Sequence, residues 1–180
     1  MRISKQKTIS LIIDIQERLF PVMQGKEELL RNCQILIRGL NTLGIPHIVT
    51  QQYTKGLGET IEEIQSILPD FTPVEKREFS CYNEPHVISR IHESDAQHII
   101  ICGIESHVCV LQTAIDLKQA GLNPVVVMDC VSSRHRRSVD LAIERLRFES
   151  IMITSAESIL FELTRSSAAP EFKAISGIVK

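Results

Sequence analysis

The sequence has no apolar run approaching the ~18 residues of a membrane-crossing helix, so a soluble globular chain with no membrane partner is expected. The basic start Met1-Arg2-Ile3-Ser4-Lys5 precedes only a short apolar stretch, broken by Asp14, which reads as a strand rather than the core of a targeting signal. The expected location is therefore cytoplasmic. Charge of one sign is also lacking: 20 Lys and Arg stand against 22 Asp and Glu, so no long-range field points to nucleic acid as a partner. Five cysteines (Cys33, Cys81, Cys102, Cys109 and Cys130) form an odd set without C-x-x-C spacing, which argues against a disulfide framework or zinc knuckle and predicts reduced thiols. The six histidines show neither H-x-H nor H-E-x-x-H spacing, so nothing in them predicts a metal. Fixed-period repeats and low-complexity segments are absent as well.

What is present is an alternation of buried-looking strands with amphipathic helices. Thr8 to Ile13 is a continuous, β-branched run of the kind covered on both faces, and it ends at Asp14. Leu29, Cys33, Leu36, Leu40 and Leu43 mark one face of a helix that Gly44 stops, with Pro46 behind it and a strand resuming at His47 to Thr50. The same grammar returns in Ile99 to Gly103, in a helix from Val108 to Ala120 stopped by Gly121, and in Val125 to Met128. Val139, Ala142, Ile143 and Leu146 then predict a helix and Ile151 to Ile153 a strand, with Thr154 and Glu157 at capping-box spacing before Ile159, Leu160 and Phe161. Repeated β-α-β units predict an α/β fold: a three-layer α/β/α sandwich with a mainly parallel, doubly wound, Rossmann-like sheet of about six strands. The length fits a single domain over residues 1–180. The segment from Tyr53 to Asn83 is the least regular, and long connections of that kind often build sites.

Asp14 and Cys109 each lie just past the C-terminal end of a strand, on the rim where open α/β sheets bind ligands. A carboxylate beside a thiol can take its proton and return it to a leaving amine. A thiol in the first turn of a helix is expected to have a lowered pKa, and the N–H groups of that turn can hold an oxyanion. Lys76, in Glu75-Lys76-Arg77-Glu78-Phe79-Ser80, follows a third short extended stretch; on the same rim its ammonium would orient the carboxylate and favour a thiolate. Cys102 and Cys130 fall within strand-like runs and read as small core residues.

These positions resemble the isochorismatase-like cysteine hydrolase superfamily, which includes nicotinamidases and carbamoyl amidohydrolases. The motifs that carry the likeness are Ile13-Asp14-Ile15-Gln16, Glu75 to Ser80, Gly103-Ile104-Glu105-Ser106-His107-Val108-Cys109-Val110 with Thr113, and Val127 to Arg134, in order along essentially the whole chain. The resemblance implies Asp14 as base, Lys76 as its partner and Cys109 as nucleophile. It also implies a non-proline cis peptide between Ile104 and Glu105 and an oxyanion hole from the N–H groups of Glu105 and Cys109. One departure matters. Nicotinamidases carry an Asp and histidines as metal ligands after the second strand, where this chain reads Thr50-Gln51-Gln52-Tyr53-Thr54-Lys55. No metal or other cofactor is therefore expected, and nicotinamide is a poor substrate guess; isochorismatases proper lack the cysteine, which disfavours isochorismate.

The reading is a cysteine hydrolase that cleaves a small amide-like C–N bond through a thioester. Phe20, Tyr53, Phe79, Cys81, Tyr82 and His107 are the expected walls of a small-molecule pocket. A thiol-based redox or peroxide-reactive protein and a non-catalytic binding or assembly subunit are the alternatives. A homo-oligomer is expected, with the Tyr53–Asn83 segment and the apolar Ile159, Leu160, Phe161, Leu163 and Phe172 as candidate contacts; packing on the chain's own core is the alternative for these residues.

Overall fold

The computed structural model describes residues 2–180. In chain order it runs β1 (Thr8–Ile13), α1 (Lys26–Thr42), β2 (His47–Gln52), two short helices α2 (Thr54–Leu57) and α3 (Glu62–Gln65), β3 (Val74–Lys76), α4 (Pro85–Glu93), β4 (His98–Ile104), α5 (Leu111–Gln119), β5 (Asn123–Ser132), α6 (Arg136–Phe148), β6 (Met152–Thr154), α7 (Ala156–Thr164) and α8 (Phe172–Ile178). The strands pair in parallel in the order β3-β2-β1-β4-β5-β6. The expected α/β/α sandwich with six strands is thus the fold observed. Every residue of β1 and β4 is buried, which is why these strands read as unbroken apolar runs. Ile12, Ile100 and Cys102 face a core closed by α1, α7 and α8, while Ile9, Leu11, Ile13, Ile99 and Ile101 face one closed by α4, α5 and α6. Among the described residues no helix is long and apolar enough to cross a membrane.

Three expectations change. The α7 cap is Ser155 rather than Thr154: its hydroxyl accepts the Ser158 N–H at 3.3 Å, because Thr154 is still paired in β6, opposite Val127. Ile159, Leu160 and Leu163 are buried against α1, and Phe161 meets Phe172 with ring centroids 6.2 Å apart. Ile159, Leu160 and Leu163 are thus spent on the chain's own core, while Phe161 and Phe172 stay partly exposed. The strand expected over Val125 to Met128 runs on to Ser132, with a register irregularity where Gly103 of β4 passes it.

The chain leaves β1 for β2 and β3 on one side, then returns to β4 and builds β5 and β6 on the other, so the strand order switches direction between β1 and β4. A crevice forms at such a switch, beyond the carboxyl ends of the strands. Gly103 lets the two strands meet there: at φ 122° it pairs with Ile13, and a Cβ on it would lie 2.0 Å from the Ile13 carbonyl oxygen. Backbone atoms cannot yield as a flexible side chain would. Gly103→Ala is expected to cost at least about 3 kcal/mol in urea unfolding; a change below about 1 kcal/mol would show that the strands part without penalty.

Candidate active site

Asp14 follows β1 directly, in the left-handed conformation at φ 51°. Its carboxylate turns inward and is fully buried. Thr50 at the end of β2 donates to Asp14 Oδ1 at 2.8 Å, and Lys76 at the end of β3 donates to Oδ2 at 2.7 Å. The lysine side chain is fully buried too, and its ammonium meets the Gln52 amide oxygen at 2.6 Å and the Glu78 and Phe79 carbonyls at 3.3 Å. Burial alone would lower the Lys76 pKa, but the Asp14 carboxylate and the neighbouring sulfurs of Cys81 and Cys109 outweigh it and hold the ammonium above its ordinary value. Lys76 also reaches Cys109 Sγ at 3.7 Å. Asp14, Lys76 and Cys109, read from three separate strand ends, lie together.

Cys109 sits in a wide turn, Ser106–Val110, that joins β4 to α5. The N–H groups of Val108 and Val110 both return to the Glu105 carbonyl, at 3.1 and 3.2 Å, whereas those of Glu105 and Cys109 bond to nothing outside the turn among the described residues. The peptide bond between Ile104 and Glu105 is cis. The Glu105 carboxylate accepts the Arg134 N–H at 2.9 Å and Nε at 3.2 Å, which ties the turn to the end of β5. His107 Nδ1 is 2.8 Å from Ser133 Oγ, itself 2.5 Å from Ser106 Oγ, a second tie to the same loop.

The electrostatics of the thiol differ from expectation. Burial first, then the Asp14 carboxylate, push the Cys109 pKa well up, and Lys76 only partly opposes them. Cys109 lies in the turn ahead of α5 rather than in the first turn of that helix, and at 7% exposure desolvation works against its thiolate. The resting group is a thiol beside a carboxylate, not a preformed thiolate.

The pocket walls divide. The Phe79 ring is exposed, its carbonyl alone meeting Lys76, and Tyr53 is exposed with the Arg77 guanidinium 4.1 Å from its ring centre. Tyr82 is half-buried against the core that contains Cys109. Phe20 packs instead on the α1 side of the sheet, away from that core. Cys81 is no wall at all: it is fully buried, its N–H on Thr113 Oγ1 at 2.9 Å and its sulfur 3.7 Å from Thr50 Oγ1. There, burial and the Asp14 carboxylate push its pKa up to about 11. Thr50 and Gln52 were missed as site residues. Gln52 entered the sequence reading only as a place without a metal ligand, yet its oxygen holds Lys76 while its NH2 donates to the Arg77 carbonyl at 2.7 Å. Gln51 is bonded to Thr60 at 3.1 Å. This amide pair, already committed to protein partners, does not fit a divalent cation, and among the described residues no three His, Cys, Asp or Glu side chains converge to hold one.

Residues 8–158 match the model of the Isochorismatase domain. Isochorismatase domain-containing protein 2 of Danio rerio is 33% identical over 178 residues, 99% of this chain and 89% of that protein. The secreted isochorismatase effector Isc1 of Phytophthora sojae is 33% identical over 185 residues, covering 99% and 87%. Among solved structures, the MAR1 ribonuclease from Caenorhabditis elegans superposes with a TM-score of 0.92 at 33% identity, over 99% of this chain and 92% of that one. The ycaC gene product of Escherichia coli, an octameric hydrolase of unknown specificity, gives a TM-score of 0.92 over 99% and 90%, at 17% identity, a likeness of fold alone.

The raised thiol pKa has a kinetic consequence. Cys109 is the most exposed of the five cysteines, so iodoacetamide is expected to reach it first. Because the thiolate is the reactive form, its alkylation rate should keep climbing about tenfold per pH unit past pH 9, the ordinary thiol value. A plateau near pH 7 in mass-spectrometric labelling would mean a preformed thiolate.

Proposed function

The chain belongs to the isochorismatase family, and on that premise we propose that it is a cysteine hydrolase of small amide-like C–N bonds. The observation that carries the reading is the placement of the buried Asp14–Lys76 pair against the Cys109 sulfur. Asp14 takes the thiol proton as Sγ attacks the substrate carbonyl carbon. The Glu105 and Cys109 N–H groups hold the oxygen that becomes negative. The C–N bond breaks as Asp14 returns the proton to the leaving nitrogen, which leaves a thioester. Water then attacks; Asp14 takes one of its protons, the C–S bond breaks, and the proton returns to sulfur. Lys76 stays charged throughout and keeps Asp14 pointed at the thiol. A resting thiol beside a carboxylate suits this cycle, since general-base removal is needed only when a substrate is in place. It also counts against the peroxide-reactive alternative, which needs a standing thiolate.

A second reading comes from the Caenorhabditis elegans neighbour, which is named a ribonuclease. In the basic run Arg134-His135-Arg136-Arg137 after β5, Arg134 pairs with Glu105 and Arg136 with Asp140. That favours a small substrate over a polyanion. The cytoplasm remains the proposed location, supported by five free cysteines, although the Phytophthora sojae relative is secreted by name. A homo-oligomer also remains proposed, its contacts now moved to the exposed Val22, Tyr53 and Phe79. The Escherichia coli octamer lends it a precedent of fold.

A turnover screen of amides, ureides, carbamoyl compounds and a labelled RNA tests the function. One of the small C–N compounds should be hydrolysed, with Cys109→Ala and Asp14→Asn each at least about 10³-fold slower and with no loss on treatment with a chelator. RNA cleavage that survives Cys109→Ala, or zinc-restored activity, would replace the assignment. Light scattering over a dilution series tests the assembly: a mass above one chain at micromolar concentration is expected, and a monomer throughout would refute it.

A further inference from the structure

Asp14 ends the regular pairing of β1 with β2, and the rung that would follow is missing from the backbone. The Asp14 N–H still reaches the Thr50 carbonyl at 3.3 Å, so the next bond of a parallel ladder would run from the Gln52 N–H to the Asp14 carbonyl. Asp14 turns into the left-handed conformation, and its carbonyl accepts the Gln16 N–H at 2.8 Å instead. The side chain of Gln16 fills the gap. Its Oε1 accepts the Gln52 N–H at 2.7 Å and its Nε2 donates to the Gln52 carbonyl at 3.0 Å, so one amide pairs both backbone groups of Gln52. The same Nε2 donates to the Gly58 carbonyl at 2.6 Å, and the residue is fully buried.

What Gln16 holds is the residue that holds Lys76. The Gln52 side chain takes the ammonium on its oxygen at 2.6 Å and gives its NH2 to the Arg77 carbonyl at 2.7 Å. These contacts close a ring: Asp14 to Lys76, Lys76 to Gln52, Gln52 to Gln16, and two peptide units from Gln16 back to Asp14. The two shortest bonds of the ammonium go to Gln52 and to Asp14, at 2.6 and 2.7 Å, the carbonyls of Glu78 and Phe79 stand at 3.3 Å, and the Cys109 sulfur lies at 3.7 Å. Without the amide oxygen, the carboxylate would be the one acceptor left within 3 Å.

We propose that Gln16 is a positioning residue, which completes the ladder at Gln52 and through it keeps the Lys76 ammonium shared between Asp14 and Cys109; its meaning for catalysis rests on the reading of Cys109 as the nucleophile. Among the described residues the Gln16 side chain bonds only to Gln52 and Gly58, so it acts on the thiol at second hand. An ammonium drawn onto the carboxylate alone does less to stabilise a thiolate beside it. The sheet thus sets the charge balance of the site through a side chain that stands in for a strand.

Alkylation of Cys109 by iodoacetamide reads the thiol directly and needs no substrate. At pH 8, Gln16→Met, which keeps the length but none of the hydrogen bonds, is expected to react at Cys109 about tenfold more slowly than the parent. Gln52→Met should slow it by a similar factor, and the double variant no further than Gln52→Met alone, since the two residues act in series. Gln16→Asn, a neutral amide too short to pair both backbone groups, should also be slower, and it decides the matter if circular dichroism shows Gln16→Met unfolded. Labelling of Cys81, fully buried in the parent, marks any variant that has opened. A clamp that only stabilises the fold would lower the melting temperature and leave the alkylation rate of the folded protein unchanged. An unchanged or faster rate in the folded Gln16 variants or in Gln52→Met, or additive slowing in the double variant, would overturn the role of Gln16 while leaving the hydrolase reading as it stands. Slowed alkylation in a protein that turns over none of the screened compounds would instead bring down the hydrolase reading and leave the positioning of Lys76 standing.

Discussion

The buried ion pair between Asp14 and Lys76 is the constraint around which the rest of the rim is arranged. At 2.7 Å and an effective dielectric of ~20, two unit charges attract by about 6 kcal/mol, whereas removing each from water costs several. The two sides nearly cancel. The pair therefore survives through additional hydrogen bonds, from Thr50 to the carboxylate and from the ammonium to Gln52 and two backbone carbonyls. Those bonds come from the ends of β2 and β3 and from the loop after β3, which binds the irregular stretch of sequence to the sheet. A buried pair so balanced adds little to stability, which is in keeping with the catalytic part proposed for it.

Its effect on the thiol follows from the same charges. Asp14 raises the cost of a second anion beside it and Lys76 lowers that cost, but burial adds to the side of Asp14 and the thiol stays protonated. In the proposed cycle, removing the proton would be coupled to the arrival of an electrophile, since a negative charge that moves from sulfur to a carbonyl oxygen would reach the N–H groups of Glu105 and Cys109. A deprotonated cysteine in water would be open to oxidation; a thiol 7% exposed between a carboxylate and an ammonium is much less so. Gln52 belongs to the same balance. As a neutral amide it holds Lys76 without competing for its charge, which a carboxylate at that position would do.

The fold was legible because both central strands are buried on both faces and announce themselves as apolar runs, and because Gly44 and Gly121 stop the helices where the sequence places them. Asp14, Lys76 and Cys109 were legible for a related reason: each is a chemically active residue immediately after, at the end of or one turn beyond a strand, and parallel strands bring their carboxyl ends to one edge. What pattern could not supply was burial. Cys81 looked like a wall residue by its place in the loop, yet it packs beneath the pair, and the direction of the Cys109 pKa depends on how deeply the turn is set. Gln52 was invisible because an amide has meaning only through its partners. The C-terminal apolar residues fit either a partner or the chain's own core, and only packing against α1 decided between them.

Topology divides the labour of the site. Because the strand order reverses between β1 and β4, Asp14 stands at the seam, with β2 and β3 to one side and β4 and β5 to the other. What touches its carboxylate or the Lys76 ammonium from the first side, Thr50, Gln52 and the Glu78 and Phe79 carbonyls, holds the two charged groups in place. What comes from the second side, the Glu105 and Cys109 N–H groups and the turn tied down by Arg134 and Ser133, would in the proposed cycle set the position of an acyl carbon and its oxygen. A substrate in the crevice would be handled from both sides at once, and Gly103 is the residue that keeps them within reach, since any side chain there would push β4 away from the carbonyl of Ile13. A backbone contact of the sheet thus holds together the two strands whose ends lead to Asp14 and to the Cys109 turn, and the proposed cycle, in which one carboxylate carries two protons in turn, would need positions that do not drift.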